Sequence, residues 1–323
     1  MNLSNRIAAI SLLWLASCAT PLQEGPKVRV AIGGQTQLVY LPTTLAARLG
    51  YYKDEGIDVE LTDFQGGAKS LEALMGGSAD VVSGYFDHTI QMADRGKRLK
   101  AFAAMLRYPG LALVARGNVA SIAALKGRTA GVSSPGSSTH LFLNHLLRGA
   151  GLTPDDVAAV GIGMSAGAVA AMEGGKVDAA VMAEPAISQL TARGAAVKVL
   201  ADARTRDGVR AIYGVESYPA AVLYSTEAWI AANPELARRL ARAMTRTLAW
   251  IQSNGSVAIA EKMPPEFHGG DARMYAAAIE ASRDMYSPDG VLPAEGAAAV
   301  VRAMGSKADP GSLYTNEFVS PAR

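Results

Sequence analysis

The run Gly136-Ser137-Ser138-Thr139-His140 places three hydroxyls and an imidazole behind a glycine, where a strand pattern at 129–132 gives way to a helix pattern at 139–148. A helix start leaves backbone N–H groups unpaired and carries partial positive charge. With added hydroxyls it is suited to carboxylate, sulfonate or phosphate oxygens. The simpler role for Ser137 or Ser138 is N-capping, worth about 1 kcal/mol. Gln65-Gly66-Gly67-Ala68-Lys69-Ser70, after the strand pattern 57–64, is a weaker copy of the device, with a plain tight turn as its alternative. In 79–89, Ser83, Tyr85 and Asp87 fall at the C-terminal end of a strand, the edge that faces the ligand crevice in open α/β sheets. They are candidate contacts, unless Asp87 only caps a helix and Tyr85 only packs. Glu184 follows strand 179–182 and could bond a ligand, meet an opposing lobe, or complement a helix dipole.

Other chemistries find less support. Gly163-Met164-Ser165-Ala166-Gly167 matches the G-x-S-x-G nucleophile elbow. A hydrolase using Ser165 would need an acid and then a histidine, and only His268 lies downstream, with no H-G-G-G oxyanion loop before the serine. His88, His140, His145 and His268 form no H-E-x-x-H or other metal spacing, so no metal site is expected. Gly33-Gly34 lacks the later glycine of a dinucleotide fingerprint and no phosphate-loop sequence occurs, so no cofactor is expected either.

The elements that must position these residues follow from composition and pattern. Of 323 residues, 31 are Lys or Arg and 29 Asp or Glu, a net charge of +2 that speaks against a nucleic-acid partner. Half are hydrophobic and 19% charged, which predicts a folded core rather than disorder. The single cysteine, Cys18, excludes a disulfide framework. It follows a basic and then apolar stretch, 1–17, too short to span a bilayer, and Leu15-Ala16-Ser17-Cys18 resembles a bacterial lipobox in which the thiol is acylated. A plain secretory signal cleaved near Ala19 is the alternative. The folded chain is expected to begin near Lys27.

Strand and helix patterns alternate from there, with strands at 28–32, 57–64, 79–83, 99–106 and 111–115, then 129–132, 157–162, 179–182, 197–200 and 220–224. The polar stretch 203–218 reads as irregular, and only helices follow residue 224. This order predicts an α/β protein of two lobes: 27–115 and 219–323 forming the first, 116–218 inserted as the second, with hinge crossings near Arg116 and Tyr218. A small ligand belongs in the cleft between them.

Several segments occur in an order that resembles the periplasmic substrate-binding proteins of ABC importers in the nitrate, sulfonate and taurine group, which includes proteins similar to thiamine-pyrimidine precursor binders. They are Tyr40-Leu41-Pro42, Gly50-Tyr51-Tyr52-Lys53-Asp54-Glu55-Gly56-Ile57, Gly66-Gly67, Gly77-Ser78-Ala79-Asp80, Pro135-Gly136-Ser137-Ser138-Thr139-His140, Gly174-Gly175-Lys176-Val177-Asp178 and Glu184-Pro185. The resemblance implies a type II periplasmic-binding fold, a monomer without catalytic activity, and delivery of a small anion to an inner-membrane permease with a cytoplasmic ATPase. Its ligand contacts would be Gln37, Tyr40, Gly66, Gly67, Ser83 to Asp87 and Gly136 to His140. Asp87 departs from a simple nitrate or taurine site, which implies a larger organic acid with hydroxyl or amine groups. Relatives that synthesise the pyrimidine carry a Cys-rich signature, and the lack of cysteine beyond Cys18 argues against that enzyme branch.

Overall fold

The computed structural model describes residues 25–319. Its ten strands are β1 (Lys27–Ile32), β2 (Asp58–Asp63), β3 (Val81–Tyr85), β4 (Leu99–Ala104), β5 (Ala112–Arg116), β6 (Thr129–Val132), β7 (Ala158–Gly161), β8 (Ala179–Met182), β9 (Val197–Asp202) and β10 (Ala221–Thr226). They form two five-stranded sheets, ordered β2-β1-β3-β10-β4 and β7-β6-β8-β5-β9. In each sheet one strand runs against the rest: β10 between β3 and β4, and β5 between β8 and β9. These are the first strands entered after each passage between sheets, so the connecting segments are 105–111 and 214–220.

Strand 112–116 therefore belongs to the second lobe, not to the 27–115 unit in which the sequence pattern put it. An apolar strand buried on both faces fits either sheet, and its hydrogen-bonded partners, Val181 opposite Leu113 among them, lie far along the chain. The second connecting segment, 214–220, contains Tyr218.

Burial follows the pattern. β3 is buried throughout, while β2, at an edge, is mostly exposed. The 20-residue helix Pro234–Ser253 buries Ala237, Leu240, Ala241, Met244, Leu248 and Ile251, one stripe at helical spacing, and packs beside Leu41–Arg48. Its polar face carries Arg246, paired with Asp54 at 2.8 Å. One core runs through the first sheet and along Leu106, Tyr108 and Leu111 into the second; a smaller cluster around Met172, Val177 and Leu190 fills the other face of the second sheet.

The stretch expected to be irregular contains a helix, Arg206–Tyr213, begun by the Thr205 hydroxyl accepting the Gly208 N–H and ended at Gly214 with φ +69°. Val209 is its only buried side chain, and three charged residues with Gly208 make up the other half of an otherwise apolar sequence. No helix among the described residues is long and apolar enough to cross a membrane.

Candidate functional site

The C-terminal ends of the two sheets face each other, and their loops touch across the cleft. Ser138 Oγ donates to Asp87 Oδ1 at 2.8 Å, Gln91 Nε2 to the Gly136 carbonyl at 3.3 Å, Gln37 Nε2 to Ser165 Oγ at 3.1 Å, and the Leu38 N–H to the Glu184 carbonyl at 2.8 Å. The hydroxyls of Thr36 and Ser165 also meet. Gly66 explains how the lobes approach so closely, since a Cβ there would lie 2.9 Å from Ser134 Oγ and 3.0 Å from Ser133 Oγ of the opposite lobe. At Gly67 a Cβ would come within 2.7 Å of the His88 ring.

Beside these contacts lies a cavity of about 110 Å³, walled by Tyr85, Asp87, Ser138, Phe142, Tyr213 and Tyr218 among others. The Tyr213 and Tyr218 rings stack at 3.9 Å, and His145 lies against Tyr213 at 4.7 Å. Tyr85, which Tyr40 meets edge-on, donates its hydroxyl to the Pro109 carbonyl at 2.5 Å. The Asp87 side chain is 13% exposed. Burial pushes its carboxyl up to about 7, against the opposing pull of the Ser138 hydroxyl and the His88 backbone N–H. His88 is fully buried and pushed down to about 4, so it is neutral. Its Nδ1 is hydrogen-bonded with the Tyr224 hydroxyl at 3.1 Å. At the cleft's other mouth a wider depression of about 800 Å³ includes Asp63, Lys69, Ser134, Ser165 and Lys176.

Gln37, Tyr40, Gly66, Gly67, Tyr85, Asp87, Gly136 and Ser138 thus converge on the cleft or the aromatic wall behind it. Gln37 is 1% exposed with its Oε1 unpartnered. Ser83 is instead turned into the first lobe, where its hydroxyl bonds that of Thr43 at 2.6 Å. Ser137 and Thr139 close their own turn: their hydroxyls lie 2.7 and 2.9 Å from Ser133 Oγ and 2.8 Å from each other. His140 Nδ1 accepts the Gly136 N–H at 3.0 Å, and burial lowers its pKa, which disfavours a positive charge there. The backbone N–H groups of Ser138 and Thr139 have no hydrogen-bond partner among the described residues.

The Glu184 carboxylate is held by Arg204 at 2.7 Å and by the Ser188 N–H at 3.0 Å, while its backbone carbonyl makes the contact to the opposing lobe. Ser165 has no histidine beside it: among the described residues its partners are Thr36 and Gln37, and His268 lies on the Ala260 carbonyl. No group of three or more His, Cys, Asp and Glu among the described residues could hold a metal. Tyr213 and Tyr218 were invisible as site residues because they lie within the stretch that reads as irregular. Cys18, expected from the sequence to be acylated, lies outside the described residues.

Two mixed α/β lobes joined by two passages and meeting at the C-terminal ends of their sheets define the periplasmic-binding-protein fold. The chain belongs to the NMT1/THI5-like family, whose profile matches residues 37–257. A solved structure from Bordetella bronchiseptica RB50 is 40% identical, covering 92% of this chain and 96% of the other, with a TM-score of 0.88. The Bacillus subtilis protein YtlA, described as a binding protein, is 24% identical over 300 residues, 88% of this chain and 85% of its own length. The alkanesulfonate-binding protein SsuA of Xanthomonas axonopodis pv. citri, bound to MOPS, shares the fold at a TM-score of 0.68 and 18% identity, covering 90% of this chain and 99% of that one.

Proposed function

We propose that the chain is the solute-binding component of an ABC importer, which closes two lobes on a small organic acid and presents it to a membrane permease driven by a cytoplasmic ATPase. The observation that carries this reading is the set of cross-cleft contacts, Ser138 to Asp87 and Gln37 to Ser165, made beside a cavity walled by aromatic rings. Lobes joined by only two connecting segments can pivot apart and re-close, and a ligand bound better by the closed form shifts that balance. The first lobe then comprises β1 to β4 with β10 and the helices after it, the second β5 to β9, with 105–111 and 214–220 as the hinge.

The acidic group is assigned to the free N–H groups of Ser138 and Thr139, which a helix dipole makes favourable for an anion. Ser137, Thr139 and His140 serve to hold that turn rather than to bind. The alkanesulfonate-binding and nitrate-binding proteins that share the fold support an anionic ligand. The protein is exported, monomeric and lipid-anchored through Cys18, and does no catalysis; that no histidine is hydrogen-bonded to Ser165 among the described residues supports this against a hydrolase. A thermal-shift screen of sulfonates, carboxylates, nitrate and pyrimidines tests the assignment, because a ligand that binds only the folded state raises the melting point. A rise with one class of acid supports it. A rise with pyrimidines alone, or with none of the panel, contradicts it.

A further inference from the structure

Asp87 stands out in the cavity as an acid without a cation. Its one ion-pair distance among the described residues is to neutral His88, 4.0 Å away. The groups that face it are the Ser138 hydroxyl and His88, with the tyrosines 40, 85, 213, 218 and 224 around them. His145 and Arg148 complete the cavity's charged or titratable lining, but His145 lies on Tyr213 with its Nε2 3.4 Å from the Ile212 carbonyl, and Arg148 is exposed. A carboxylate offers about four acceptor positions. The Ser138 hydroxyl and the His88 N–H take two, which leaves capacity toward the cavity.

A buried carboxyl with no cation is unfavourable when ionised, and here it is walled by tyrosine rings, whose faces attract cations. We infer that Asp87 is a specificity-determining residue that accepts a protonated amine on the ligand, so the solute is an amino-bearing organic acid rather than a plain sulfonate or carboxylate. This rests on the proposed binding role of the cleft. The ammonium takes the place of the Ser138 hydroxyl or joins it on the carboxylate, and Tyr213 and Tyr218 pack its carbon frame. The ligand's acidic group lies toward the free amides of Ser138 and Thr139.

The test is calorimetric titration with two matched pairs, 2-aminoethanesulfonate against ethanesulfonate and 4-(aminomethyl)benzoate against 4-methylbenzoate, with benzylamine as a plain amine. In at least one pair the amine-bearing acid should bind the wild-type protein about 10- to 100-fold tighter, as expected for a charge-assisted hydrogen bond. Asp87→Asn should abolish that advantage, and Ser138→Ala, which removes the competing donor, should keep it. The advantage should also shrink as pH falls below about 7 in the wild type and not in Asp87→Asn, because a protonated Asp87 no longer favours the ammonium. Equal binding within both pairs, or loss of the advantage in Ser138→Ala as well, overturns the inference while leaving acid binding intact. Benzylamine binding as tightly as 4-(aminomethyl)benzoate upholds Asp87 and overturns the acid assignment. If no probe binds, both fall.

Discussion

Asp87→Asn is the perturbation whose consequence can be worked furthest from the structure. An ordinary aspartate near 3.8 is displaced here to about 7, so the folded chain holds a proton that the unfolded chain releases. The sign follows directly: stability from this group is fully present below about pH 3.8 and is lost as pH rises through about 7. At about 1.36 kcal/mol per pH unit the whole displacement corresponds to about 4 kcal/mol. The amide that replaces the carboxyl cannot titrate, so the variant's stability relative to wild type should climb by about 4 kcal/mol between roughly pH 4 and pH 8. His88 works in the opposite sense. Its folded value of about 4 lies below the ordinary 6.5, so its contribution is present above pH 6.5 and is lost as pH falls through about 4. That amounts to about 3 kcal/mol. Between about pH 4 and 6.5 the two trends cancel in the wild type, and single variants unmask them: His88→Asn should fall relative to wild type as pH rises, Asp87→Asn should gain. Urea unfolding followed by circular dichroism, at half-unit steps, reads both. A stability difference that does not change with pH for either variant would refute the dry, closed pocket from which the shifts arise.

Three further outcomes are expected. Arg204→Met should cost about 2 to 4 kcal/mol in urea unfolding, because it strips the cation from Glu184, which is 7% exposed, and Arg204→Met with Glu184→Gln should recover part of it. Cys18→Ser should move the protein from the membrane fraction to the soluble fraction of fractionated cells, and unchanged partition would remove the lipid anchor from the account. Ser165→Ala should weaken ligand affinity about 3- to 10-fold without abolishing it, because it removes the closed-cleft hydrogen bonds to Thr36 and Gln37. Stoichiometric labelling of Ser165 by an organophosphate would instead restore the hydrolase alternative.

What could be read from the sequence was the local part. Alternating βα patterning predicted the ten strands closely, because each buried run carries its own apolar signal, as β3 does with five buried residues. The sheet to which 112–116 belongs could not be read, since pairing partners such as Val181 are chosen by long-range packing. The helix Arg206–Tyr213 escaped because its three charged residues and Gly208 outweigh the apolar face that Val209, Ile212 and Tyr213 form. In the site, Asp87, Tyr85 and Ser138 were recognisable from strand ends and a helix start, whereas Ser83, two residues before Tyr85, turns to Thr43. The engagement of Ser137 and Thr139 with Ser133, and of His140 with the Gly136 N–H, depends on how the turn closes on itself. No residue type reveals that.

A small acid held between the lobes can be probed most directly at Gly66. A methyl group there meets Ser133 and Ser134 only when the cleft is shut. The measurement is calorimetric titration of wild type and Gly66→Ala with whichever acid gives the largest thermal shift. The wild type should show saturable one-to-one binding, weakened about 10-fold or more by Gly66→Ala, with the unliganded variant unfolding at the wild-type urea concentration. Equal affinity in the two proteins would contradict it, because the acid would then be bound somewhere other than a closing cleft.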